Sequence, residues 1–277
     1  MALVSTFAPL PAQIAILGSF LSMLFGLLTS FVDQERYRER RQAQLMARLQ
    51  VPMALAPEHE FFNQYAAISD GIAKIARQSD PVLREFALLK LESLSEQVRS
   101  LARGTIVFSS TETWRTVYER LLESCLSDAY YSVAWAKTKD YWQDQPGRQS
   151  IRLNYDWVAR GLRIERIIVL RGDLWPGGNR LPSTDIRPWI EDQQNRGITI
   201  SLVHETDLGS EPDLLCDFGI YGDRATGFQE LDDHSHTMRF ILYFDRPSLK
   251  LARDRWERLK IYAISYPDLL DQAATRS

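Results

Sequence analysis

Only two cysteines, Cys125 and Cys216, occur in 277 residues. Neither a Cys-x-x-Cys pair nor a secreted disulfide framework can be built from two such residues, so free thiols in a reducing compartment are the expectation. A basic surplus is also missing. The chain has 33 Lys and Arg against 36 Asp and Glu, a net charge of -3. A whole-chain electrostatic footprint for nucleic acid is therefore absent, and nucleic-acid binding is disfavoured unless a local patch provides it. The phosphate-binding loop is missing as well: Gly177-Gly178 stands without the lysine and spacing that chemistry needs. No solenoid repeat is found, and no cofactor is implied. What the chain has in quantity is apolar material, 45% of residues, enough for a substantial core.

One apolar run is long. Residues 14–32 read IAILGSFLSMLFGLLTSFV without a charge. About 19 residues at about 1.5 Å each nearly cross a hydrocarbon core of about 30 Å, and a helix satisfies every backbone group internally. No basic segment precedes the run, and no small-residue cleavage site follows it, so a retained anchor is expected rather than a signal peptide. The preceding residues 1–13 carry no charged side chain, whereas DQERYRERR follows with Arg36, Arg38, Arg40 and Arg41. By the positive-inside rule, residues 1–13 lie outside and the rest faces the cytoplasm, giving a single-pass cell-membrane protein. Gly18, Ser22, Gly26 and Ser30 recur every fourth residue. This is either a flat face on which two anchors associate as a homodimer or a chance register of small residues.

Residues 33–104 read as a juxtamembrane segment and helical stalk. A helix over 33–50 is broken near Pro52 and Pro57. A second carries Phe61, Tyr65, Ile68, Ile72 and Ile75, and a third carries Leu83, Ala87, Leu91, Leu94, Val98 and Leu101 before Gly104. The apolar stripes of this hairpin have three possible partners: each other, a second copy, or the following domain.

From residue 105 strands and helices alternate: TIVF, a helix from Thr111, AYYSVAWAKT, a helix ending at Gly161, LRIERIIVL, a helix from Pro188 to Gly197, and ITISLVHE. Three closely joined strands follow (DFGIYG, ATGFQEL, MRFILYFD), then a helix from Pro247 or Ser248. This order predicts an α/β layered fold with a mixed sheet flanked by helices over residues 105–264, and a C-terminal tail over 265–277.

The order of elements, with its hairpin after the ITISLV strand, resembles one unit of the phospholipase D-like fold. That family's active unit carries His-x-Lys-x-x-x-x-Asp on a strand placed like DFGIYGD. With Asp223 at the last position, Cys216 stands where the histidine belongs and Phe218 where the lysine belongs. The resemblance therefore implies a degenerate, non-catalytic relative lacking both the nucleophile and the phosphate-binding cation. Asp217-Phe218-Gly219 spells the magnesium motif of protein kinases, but the glycine-rich loop, its lysine and the catalytic loop are missing. A strand and turn are expected instead, with Phe218 and Ile220 on one face and Tyr221 on the other.

Three other groups carry possible chemistry. Arg171, Asp173, His204 and Glu205 end two strands expected to be parallel neighbours, so they are expected to converge on one rim able to bind a small polar ligand. Joined by Asp223, the same rim is the alternative reading: a membrane-associated phosphoester hydrolase with His204 as base. His234 and His236, two apart in Asp232-Asp233-His234-Ser235-His236, are weak metal candidates against a plain solvated loop. Trp135, Trp142 and Trp157 are either a stacking surface or core. The leading expectation is a membrane-anchored sensor, adaptor or interaction module that binds a small polar ligand or a protein partner.

Overall fold

The structure is a computed structural model, and it describes residues 9–108, 111–125, 128–232 and 237–275. The chain divides into two compact units, Met1–Leu91 and Glu92–Ser277.

The first unit opens with helix α1, Leu10–Leu55, whose first turn contains Pro11. The expected anchor and the segment 33–50 are one uninterrupted helix, and Pro52 lies inside its last turn rather than breaking it before that point. Proline there removes one i→i−4 hydrogen bond, and the helix ends three residues later. Within the apolar stretch the Ser19 hydroxyl donates to Ala15 O at 3.0 Å and the Thr29 hydroxyl to Gly26 O at 2.9 Å, so both are satisfied inside the helix. Helix α2 is His59–Ala76, and α3 is Pro81–Ala102. Asp80 caps α3, accepting from the N–H groups of Val82 and Leu83 at 2.9 and 3.1 Å.

The second unit is an eight-stranded mixed sheet. Its strands are β1 (Thr105–Phe108), β2 (Ala129–Ala136), β3 (Arg163–Leu170), β4 (Thr199–His204), β5 (Asp217–Tyr221), β6 (Ala225–Leu231), β7 (Thr237–Tyr243) and β8 (Ile264–Ser265). The order across the sheet is β1-β7-β6-β5-β2-β3-β4-β8. Strands β2, β3 and β4 are parallel neighbours, and every other pairing is antiparallel. Helices α4 (Thr111–Glu123), α5 (Gln145–Ala159) and α6 (Arg187–Asn195) lie along this chain, followed by α7 (Arg246–Tyr262) and α8 (Tyr266–Thr275).

Apolar side chains alternate between two cores, as strand geometry requires. One face packs Tyr130, Ile164, Ile168, Ile200, Leu202 and Tyr221 with residues of α4, α5, α6 and α8. The other packs Val133, Ile167, Val169, Val203, Phe218 and Ile220 with Ala252, Trp256 and Leu259 of α7. Strand β3 is covered on both faces, which accounts for its unbroken IIVL run. Residues 265–275 do not form a free tail. Strand β8 extends the sheet beside β4, and α8 buries Tyr266 and Leu269 in the first core.

Candidate functional site at the carboxyl ends of the parallel strands

In an open α/β sheet, ligands gather where parallel strands end and the connections diverge. Here β2 ends at Ala136, β3 at Leu170 and β4 at His204. Strand β5 runs the other way beside β2, with Val133 opposite Phe218, so its first residue, Asp217, enters the same rim.

Alternation divides this rim between the two faces. On the α7 face, Trp135 donates its indole N–H to Glu205 Oε1 at 3.0 Å, and Lys137 Nζ stands 4.3 Å from the Trp135 ring centre. Arg171 binds Asp173 in a bidentate pair, Nε to Oδ1 at 2.8 Å and Nη2 to Oδ2 at 2.6 Å. That pair holds the Asp173 carboxyl below the usual carboxylate range and raises Arg171, with Glu205 adding to the field on Arg171.

On the other face, His204 turns its ring toward Trp175, with ring centres 5.5 Å apart. Its Nδ1 accepts from the Thr206 N–H at 3.3 Å, and its Nε2 bonds the Trp175 carbonyl. A carbonyl can only accept, so Nε2 donates to it. Nε2 thereby holds the loop after β3 against the end of β4, and Nδ1 caps the turn that follows β4.

The expected convergence is therefore partial. Arg171 pairs with Asp173 and lies in the field of Glu205, whereas His204, one residue before Glu205, turns toward Trp175 and away from Glu205's partner Trp135. Asp223 does not join them. It sits in the β5–β6 hairpin at the far end of β5 from Asp217, where Arg253 forms an ion pair with it. The grouping of His204, Glu205 and Asp223 is corrected by the length of one strand. The pair His234 and His236 lies outside the described residues. Trp157 belongs to the core, and Trp142 and Trp135 pack on opposite faces, so the three tryptophans make no common surface.

The head of β5 gives each letter of Asp217-Phe218-Gly219 a structural role. Asp217 is buried; its Oδ1 accepts from the Tyr141 hydroxyl and from the Trp135 N–H, the latter at 3.2 Å. Burial away from water pushes its carboxyl up to about 7, against the pull of those two hydrogen bonds. Phe218 packs into the α7-side core with its ring stacked on Phe228, centres 5.7 Å apart. Gly219 lies under the Tyr130 ring, where a Cβ would come within 2.9 Å of ring atoms. Cys216 contacts Arg255 at 3.9 Å, yet desolvation dominates and pushes its thiol up to about 11. A thiol so protonated near neutrality is a poor nucleophile.

Sequence reasoning passed over Lys137 and Tyr141, took Trp135 as a stacking or core residue, and read Asp217 as part of a strand rather than as a member of this rim. The rule applied to the ends of β3 and β4 applies equally to β2, and would have found Trp135 and Lys137. Asp217 and Tyr141 required knowledge of which loop closes over which strand.

No protein-family model matches the chain, and no curated protein matches it. Similar solved structures include Nuc from Salmonella typhimurium, a phospholipase D family member, at 11% identity and a TM-score of 0.41, covering 58% of this chain and 97% of that one. NucT from Helicobacter pylori matches at 10% identity and a TM-score of 0.38, covering 58% and 98% respectively. TrmBL2, an archaeal chromatin protein described as having a novel mode of DNA binding, matches at 13% identity and 0.36, covering 76% and 70%. The mixed sheet with flanking helices is the layered α/β arrangement that the order of elements predicts.

Proposed function

We propose that this chain is a membrane-tethered binding module, in which α1 anchors a phospholipase D-like domain that holds ligands or partners without cleaving them. The observation that carries this reading is the head of β5. Where the family motif has a nucleophile and a cation, this chain has a desolvated thiol at Cys216 and a core phenyl ring at Phe218. Phosphoryl transfer needs positive charge at that point to meet the developing negative charge, and a phenyl ring packed on Phe228 supplies none. Support for the tether comes from α1, which is long and apolar enough to cross a bilayer and whose Ser19 and Thr29 hydroxyls bond within the helix. The arginines that follow residue 32 favour a cytoplasmic domain, and the small-residue stripe of α1 favours a homodimer.

The test uses full-length protein in membranes. Alkaline carbonate should leave the uncleaved chain in the pellet, and the detergent-solubilised protein should hydrolyse generic phosphodiesters no faster than buffer. Turnover that disappears in Cys216→Ala or His204→Ala would overturn the non-catalytic reading. Release of the intact chain by carbonate would overturn the tether.

A further inference from the structure

We propose that the cleft between α5 and α6 binds a nucleoside phosphate, a small anion carrying a planar ring. The cleft has a volume of about 340 Å³, in the range of small-molecule sites. Its walls are of two kinds. Trp142, Tyr155 and Trp189 supply flat apolar surface, and Arg148, Arg152 and Arg196 supply charge against the single carboxylate of Asp192. A cleft with three cations and one anion on a chain of net charge -3 is a local reversal of sign, and it selects an anionic ligand.

The three arginines are not equally committed. Arg196 bonds Asp192 at 2.9 Å and lies over the Tyr155 ring at 4.7 Å. Asp192 also accepts from the Tyr155 hydroxyl at 2.8 Å, so these three side chains form a braced wall. Arg148 donates to Gln143 O, closing the turn that leads into α5. Arg152 makes no ion pair among the described residues. Arg148 and Arg152 are four apart on α5 and share one face, where like charges repel. A phosphate between them removes that repulsion and matches the guanidinium fork.

The aromatic wall is backed by buried polar groups. The Trp189 indole N–H is buried without an acceptor. Behind Trp142 lies Arg166, a core arginine 1% exposed, with its guanidinium carbon 5.3 Å from the Trp142 ring centre and one terminal nitrogen unpartnered. Trp142 itself has φ 55, the one non-glycine residue in left-handed backbone among the described residues. Gly147 permits this, since a Cβ there would come within 2.6 Å of the Trp142 backbone. Residues held in so sparsely populated a conformation cluster at ligand sites. The tight turn fixes the indole plane beside the arginines, and a heterocycle stacking there places its phosphate toward α5.

This inference goes beyond the tether and the absence of turnover, and does not rest on either. The experiment is titration of the detergent-solubilised full chain with AMP, GMP and UMP, followed by tryptophan fluorescence and calorimetry, with adenosine and inorganic phosphate as separate arms. At least one nucleotide should bind with a Kd below about 1 mM and about tenfold more tightly than adenosine or phosphate alone. Arg152→Ala, an exposed change, should weaken that binding about tenfold while leaving the melting temperature unchanged. Equal affinity for phosphate and nucleotide would overturn the aromatic half of the site. No saturation by any of the three nucleotides, or undiminished binding in Arg152→Ala, would overturn the site itself. None of these failures touches the carbonate extraction or the turnover assay.

Discussion

Replacing Asp217 by asparagine isolates the cost of keeping a carboxyl group at the head of β5. The group is buried, and its folded pKa is raised from 3.8 to about 7. The native state therefore holds a proton over a pH range in which the unfolded chain has lost it. Stability from this site is fully present below pH 3.8 and declines as pH rises, until the native carboxyl also ionises near pH 7. The whole span corresponds to about 4 kcal/mol, since each tenfold change in the ionisation equilibrium is worth about 1.4 kcal/mol. Between about pH 5 and pH 9 the decline is roughly 3 kcal/mol, because part of it has already occurred at pH 5. Asparagine keeps an oxygen able to accept from Tyr141 and Trp135, and it does not ionise. Thermal unfolding of the two proteins across pH should therefore give curves that diverge upward, with the gain of Asp217→Asn over the native chain increasing by roughly 5–10 °C from pH 5 to pH 9. A constant difference at all pH values would refute the claim that a desolvated carboxyl sits at this position.

Other outcomes follow from the same packing. Phe218→Ala should destabilise the domain by about 3–5 kcal/mol in a denaturant titration, since it empties a stacked core position. Gly219→Ala should cost about 1–3 kcal/mol by the same measurement, because the buried Tyr130 ring has little room to yield to a Cβ. Cys125 and Cys216, both pushed up to about 11 by burial, should resist iodoacetamide at about pH 7.5 in the folded protein and react promptly in denaturant. Gly26→Ile should abolish self-association of α1 in a transmembrane reporter assay. Nothing within 4 Å of the Gly26 position obstructs the larger side chain inside one chain, so any loss of signal reports a partner helix.

The sequence was most legible where one physical period dominates a segment. The alternation and apolar run of LRIERIIVL placed β3, and the turn at Gly222 placed the β5–β6 hairpin. It was least legible at joints. Pro52 reads as a breaker, yet α1 runs three residues past it to Leu55 before it ends. The last residues read as a tail, yet Tyr266 and Leu269 find a core that only the assembled sheet provides. The site divides in the same way. Arg171, Asp173 and Glu205 were recoverable from the rule that parallel strands end together. Asp217 and Tyr141 were not, because the contact joins a loop to the head of a strand 76 residues away.

Taken alone, the sequence determined the apolar helix, the alternation of strands and helices, and the presence of Cys216 and Phe218 where the motif it resembles has histidine and lysine, since each depends on neighbours along the chain. The tertiary structure decided which side of the sheet each rim residue faces. It separated His204 from Glu205, removed Asp223 to the other end of β5, and brought α5 beside α6 to form an arginine-lined cleft. Those outcomes depend on strand order and on which helix covers which face, and both are set by burial of apolar surface between segments far apart in the chain.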